Sequence, residues 1–150
     1  MLKQIAVFAG LLLAADLACA ADKTCPLAVE ANDQMQYNVS ELHVPAGCTE
    51  VEVTLKHVGK LPVTTMGHNF VVARTADVAA IASAGVAAGL KENYLPPNDK
   101  RVIAHTKIIG GGESTSVKFP VSKLPKGGDY SFFCSFPGHY ALMKGKLIVD

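Results

Sequence analysis

The chain has 150 residues, with 14 Lys and Arg against 13 Asp and Glu, five His, four Cys and no Trp. That length suits one ordinary domain with room for a buried core, and a net charge of +1 lacks the basic excess of a nucleic-acid surface. No stretch reaches the roughly 18 apolar residues of a membrane span, so no transmembrane helix is expected.

The first residues have the pattern of an export signal: Lys3 as the positive start, an apolar run from Ile5 to Ala15, and Ala18-Cys19-Ala20 as the small-residue cleavage site. The division expected is 1–20 as signal peptide and 21–150 as the working domain, in the periplasm, with the net charge still +1 because Lys3 and Asp16 leave together. A lipidated Cys19 is the alternative, although Asp16 stands where such signals carry Leu. Once Cys19 has left, Cys25 and Cys48 pair most simply as a structural disulfide of an exported protein.

Along the remaining chain, Leu27–Ala31 is the first short β-type run, and Pro45-Ala46-Gly47 marks a turn. Glu50–Val58 alternates strictly, with Val51, Val53, Leu55 and His57 on one face and Glu50, Glu52, Thr54 and Lys56 on the other, as a half-buried strand requires. His68–Arg74 is a further β-type run. Thr75–Leu90, rich in Ala, is the one helical segment, with Thr75 or Asp77 as its N-terminal cap and Gly89 as its stop. Turn residues recur at 95–99, 110–112 and 125–128, the Gly110–Gly112 run being read as a flexible hairpin loop. Between and after them lie β-type runs at Ser114–Val121, Asp129–Ser135 and Lys144–Asp150. Many short strands with one helical insertion predict an all-β sandwich.

Chemistry concentrates in residues 134–143, CSFPGHYALM. Alternation places Tyr130, Phe132 and Cys134 on one apolar face, so the thiol leaves the end of a strand in dry surroundings. Pro137-Gly138 then turns the chain and returns His139 toward Cys134, and Met143 precedes the last strand. Thiol, imidazole and thioether this close fit a metal site, a reactive thiol with its base, or core filling. A fourth donor must come from elsewhere, and His68 is the best candidate because Gly67 before it lets a backbone carbonyl approach. His43 and His105 stand in ordinary strand contexts. Two imidazoles, one thiolate and a weak thioether form the donor set of blue-copper electron-transfer sites. The same ligands suit zinc, and copper storage or delivery is a further alternative, which a single thiolate at the end of an apolar strand disfavours.

The Cys25 and Cys48 pair, Met66-Gly-His-Asn-Phe70, the helical insertion and CSFPGHYALMKGKL (134–147) together resemble the cupredoxin family, and within it the azurin group. The resemblance implies an eight-stranded Greek-key β-sandwich and a non-enzymatic carrier of single electrons on one copper ion, cycling between Cu(II) and Cu(I). It makes His68, Cys134 and His139 the three strong ligands, Met143 a long axial one and the Gly67 carbonyl a weaker opposite contact. Asn69 would tie the ligand loops together, and the Phe136 amide would support the sulfur. A docking patch of Met35, Met66, Phe136, Pro137 and Ala141 would ring a His139 that reaches the surface. The implied partners are c-type cytochromes and periplasmic reductases or oxidases, met transiently by a monomer. His57 resembles a family histidine whose protonation follows the redox state, against a plain hydrogen-bonded core role. Phe70 stands where many azurins carry Trp.

Overall fold

A computed structural model describes residues 22–150. The predicted signal segment, 1–20, lies outside the described residues. Eight strands follow one another: β1 (Thr24–Ala31), β2 (Glu41–Val44), β3 (Glu50–His57), β4 (Val71–Arg74), β5 (Ala104–His105), β6 (Ser114–Pro120), β7 (Tyr130–Phe133) and β8 (Lys144–Val149). They form a three-stranded sheet in the order β1-β3-β6 and a five-stranded sheet in the order β2-β8-β7-β4-β5. Two neighbours run parallel, β1 with β3 and β2 with β8; the other pairs are antiparallel.

The alternation in β3 does what its pattern requires: Val51, Val53, Leu55 and His57 are all fully buried between the sheets. There they meet Val29, Phe70, Val72, Phe119, Phe132 and Leu147, and each large side chain so buried contributes about 1.5–3 kcal/mol. Phe70 stacks on Phe132 with ring centroids 5.3 Å apart. Cys25 and Cys48 form a disulfide across the start of this core, with Cα atoms 5.9 Å apart.

β7 departs from simple alternation, since all four of its residues are buried. The helical insertion accounts for this. Helix α2 (Val78–Gly85) lies on the outer face of the five-stranded sheet, where Val78, Ile81 and Ala82 cover Val71, Ala73 and Phe133. A strand covered on both faces loses its polar side.

Several sequence expectations need correction. The segment 75–90 is not one capped helix: a 3-10 turn at Thr75–Asp77 leads into α2, another at Val86–Ala88 follows, and Gly89 at φ +73° breaks the run. Neither Thr75 nor Asp77 makes a side-chain cap bond at its helix start; the Thr75 hydroxyl instead bonds the Ser131 hydroxyl at 2.9 Å, tying the helical segment to β7. A second, one-turn helix, α1 (Val63–Met66), follows Pro62. His43 and His105 do stand in strands, β2 and the two-residue β5, which are too short for periodicity to give their bounds. The Gly110–Gly112 run is no free hairpin. A Cβ at Gly111 would lie 2.5 Å from the Lys60 backbone, and Gly112 N–H donates to the His57 carbonyl at 2.9 Å, so the run packs two backbones together.

Candidate metal centre

Two loops at one end of the sandwich carry the donors. The first leads into β4. The run beginning at His68 becomes a regular strand only at Val71, and His68 itself is pinned to Ile109 by an isolated antiparallel bridge with bonds of 3.0 and 2.9 Å. Gly67 is required here by contact: a Cβ would lie 2.5 Å from the Val63 carbonyl oxygen and 2.6 Å from Ile108 Cγ2. The second loop connects β7 to β8. Cys134 follows directly on β7, Gly138 turns the chain at φ +83°, and a 3-10 turn at His139–Ala141 leads to Met143. Backbone bonds close this loop, from Cys134 N–H to the Met143 carbonyl at 3.0 Å and from Met143 N–H to the His139 carbonyl at 2.8 Å.

His68, Cys134 and His139 come together, their ligand atoms all within 4.8 Å of one another. Cys134 Sγ lies 3.9 Å from His68 Nδ1, 3.7 Å from His139 Nδ1 and 3.9 Å from the Gly67 carbonyl oxygen. Met143, also fully buried, is brought beside this cluster through its backbone bonds to Cys134 and His139.

The protonation states follow from the partners. The Asn32 carbonyl accepts from His68 Nε2 at 2.8 Å, which places the ring proton on Nε2 and leaves Nδ1 as a lone pair facing the sulfur. Burial lowers the pKa of both His68 and His139 to about 4, so each ring is neutral at pH 7. Burial also pushes the Cys134 thiol up to about 12, against the pull of the Asn69 and Phe136 backbone amides. Without a cation the sulfur keeps its proton. A metal ion would displace it, which is the ordinary coupling between binding and deprotonation.

His139 is only 3% exposed, less than a ring expected to reach the surface suggests. Among the described residues no buried side-chain nitrogen lacks a partner, and His139 Nε2 has none, so that atom meets solvent. Of the residues expected to ring it, Met35, Met66, Phe136 and Pro137 are half-buried and Ala141 is exposed. Phe136 stacks against the His139 ring at 4.6 Å between centroids. Leu142, 69% exposed beside them, was not singled out from the sequence.

A layer of hydrogen bonds fixes the two loops. Asn69 Oδ1 accepts from Ser135 N–H at 2.9 Å, and its Nδ2 donates to Ser135 Oγ at 2.8 Å. Ser135 Oγ in turn donates to the Asn93 carbonyl at 2.7 Å, and Asn93 Oδ1 receives Ile108 N–H at 2.8 Å. Tyr37 Oη donates to the Asn69 carbonyl. Ser135, Asn93, Tyr37 and Asn32 escaped the sequence reading. Only Asn93 left a usable signal, an Asn just past a helical run, where its left-handed φ of +54° is tolerated. Behind His68, His57 stacks at 4.5 Å, its Nε2 donating to the Met66 carbonyl at 2.9 Å and its Nδ1 accepting from Gly59 N–H at 3.0 Å.

Comparison with known proteins places this arrangement. The family described as copper binding proteins, plastocyanin/azurin family, matches residues 23–150. The chain belongs to that family. It is similar to azurin of Alcaligenes faecalis, 52% identical over 82% of this chain and 96% of that protein. It is also similar to azurin of Pseudomonas aeruginosa, 49% identical over 98% of each. Among solved structures, the azurin Az-iso2 of Methylomonas sp. strain J superposes with a TM-score of 0.82 at 49% identity, covering 84% of this chain and 98% of that one. The sandwich is therefore the cupredoxin one expected. As a member of the plastocyanin/azurin family, the chain is a blue copper electron-transfer protein that takes one copper ion. Its buried imidazoles and thiol are a donor set of the right softness for that ion.

Proposed function

We propose that His68 Nδ1, Cys134 Sγ and His139 Nδ1 hold the copper, with Met143 as a weak axial donor and the Gly67 carbonyl opposite, and that the chain carries single electrons between periplasmic partners. The observation that carries this reading is the convergence of three buried donors, the His68 lone pair fixed by the Asn32 carbonyl, both imidazoles held neutral by burial, and the thiol approached by the Asn69 and Phe136 amides. Copper bound there would supply a one-electron couple between Cu(II) and Cu(I). The residues supply the rest. Asn32 orients the His68 ring, Asn69 and Ser135 hold the two loops at a fixed separation, and Phe136 and Asn69 amides aim at the sulfur. A site held this firmly changes little when its charge changes by one, which keeps electron transfer fast.

His139 Nε2, at the surface among Met35, Met66, Phe136, Pro137 and Ala141, is the exit for the electron in this reading, and the surrounding apolar patch lets a partner dock closely and leave quickly. Family resemblance points to c-type cytochromes and to periplasmic reductases or oxidases as those partners, met by a monomer. It also points to removal of 1–20 on export. The rival reading, an enzyme with Cys134 as nucleophile, is opposed by a thiol that is fully buried and whose pKa is about 12, since a reactive cysteine needs access and thiolate character.

The visible spectrum after copper addition and mild oxidation tests the assignment. An intense absorption toward the red that bleaches on reduction is the expected result. A colourless protein with a titratable thiol would overturn it.

A further inference from the structure

The strands that deliver the metal donors at one end also deliver a different chemistry at the other. Val71 pairs with Phe133 beside the metal loops, and Arg74 pairs with Tyr130 at the far end of the same ladder. Cys134 stands four positions on from Tyr130, so this end lies about 13 Å along the strands from the metal donors. Here a cleft of about 310 Å³ is lined by Arg74, Lys100, Arg101 and Lys123, with Tyr130 and Ile103 as apolar walls and Asp77 as the one carboxylate. Four cations around one cleft stand out in a chain whose net charge is +1.

Their pairing leaves much of that charge uncommitted. Arg101 turns Nε and Nη2 onto Asp99, which fixes the guanidinium and leaves the Nη1 donors without a partner among the described residues. Arg74 lies over the face of the Tyr130 ring, 5.6 Å from its centroid, and Lys123 Nζ reaches only the Ile103 carbonyl at 3.5 Å. Neither Arg74, Lys100 nor Lys123 makes an ion pair among the described residues. The Arg74 guanidinium, the outer Nη1 of Arg101 and two ammonium groups lining one concavity match the several oxygens of a phosphate-type group, which accepts forked and point donors at once. A nucleic acid would need a basic surface much larger than this cleft.

We propose that this cleft is an oxyanion site, taking a phosphate-type group at the pole opposite the copper, either from a free polyanion or from an anionic lipid headgroup. A carrier held by that pole would keep its metal end turned outward.

Titration calorimetry of pyrophosphate into the copper-loaded protein, with the blue absorption as the check that fold and metal persist, tests the site. Saturable binding is expected, about tenfold weaker in Arg74→Gln/Lys123→Gln, because charge-assisted bonds to the anion are lost. Asp77→Asn should tighten it about threefold by removing the opposing charge. Lys56→Gln/Lys91→Gln, which removes as much charge elsewhere, should leave it unchanged. Sedimentation with phosphatidylglycerol vesicles, against phosphatidylcholine alone, identifies the source. Vesicle binding lost in Arg74→Gln/Lys123→Gln supports a headgroup, and pyrophosphate binding alone supports a free anion. No binding of either, or binding that the two double variants weaken equally, overturns the proposal.

Discussion

At the metal pole the two loops are joined by buried, neutral hydrogen bonds through Asn69, Ser135 and Asn93, and the donors they hold are dry. At the opposite pole the contacts are ionic and wet: Lys146 meets Asp129 at 2.5 Å with both side chains at least half exposed. The disulfide, also remote from the donors, is covalent. A buried polar network is unforgiving, because any member left unpaired suffers the full cost of desolvation. An exposed ion pair only exchanges one partner for water. Geometry is therefore defended at one pole and charge is free to be used at the other.

The largest effect expected at the metal pole is on colour. Cys134→Ser should abolish the intense visible absorption outright while the disulfide and both sheets persist, as far-ultraviolet circular dichroism would show. Retained blue colour would refute the ligand assignment. Acid should act next. His68 and His139 titrate near 4 in the folded apoprotein and near 6.5 when unfolded, so between those values the unfolded chain binds more protons. Apoprotein stability should then fall as pH drops from about 6.5 to about 4 and level off below, by about 3 kcal/mol for each imidazole fully expressed. Urea unfolding at stepped pH measures it. Copper occupying both Nδ1 atoms and displacing the Cys134 proton lowers the protons held by the native state further, so in the copper-loaded protein the slope should steepen and continue below pH 4.

The disulfide sharpens the comparison from the other side. Cys25→Ala/Cys48→Ala opens a cross-link spanning 23 residues, which should lower stability by about 3 kcal/mol through the freedom returned to the unfolded chain. The visible spectrum should not move, because nothing in the donor set touches that bridge. A shifted spectrum would mean that the two ends are mechanically coupled.

How far the sequence anticipated this division depends on the kind of signal. β3 was legible because its buried face repeats every second residue, and the donors were legible because Cys, His and Met are rare types crowded into ten positions. β2 and β5, four and two residues long, showed only as strand contexts around His43 and His105, with no run to give their bounds. The capping of α2 failed because Thr75 found a tertiary partner in Ser131, a contact across 56 residues that no local pattern encodes. The same holds for Ser135 and Asn32, ordinary polar residues whose importance arises only where distant loops meet. The basic cleft is assembled from residues 74, 77, 100, 101, 103, 123 and 130, spread over four segments, and no run of charge announces it.

Distance alone misleads about which of these contacts matter. Asn69→Ala removes bonds of 2.8 and 2.9 Å and leaves the buried Ser135 amide without an acceptor, for which a loss of about 2 kcal/mol is expected. Urea unfolding of the apoprotein should register it, with a changed visible spectrum in the copper-loaded form because the loops are no longer pinned. Asp129→Asn breaks a shorter contact, 2.5 Å to Lys146 Nζ, yet its effect on unfolding should fall within the error of the measurement. Water and salt already compete for both groups there, and holding a long Lys side chain in one geometry costs entropy that the attraction must first offset. If Asp129→Asn proved as damaging as Asn69→Ala, the wet pole would be as tightly built as the dry one, and the contrast between them would fail.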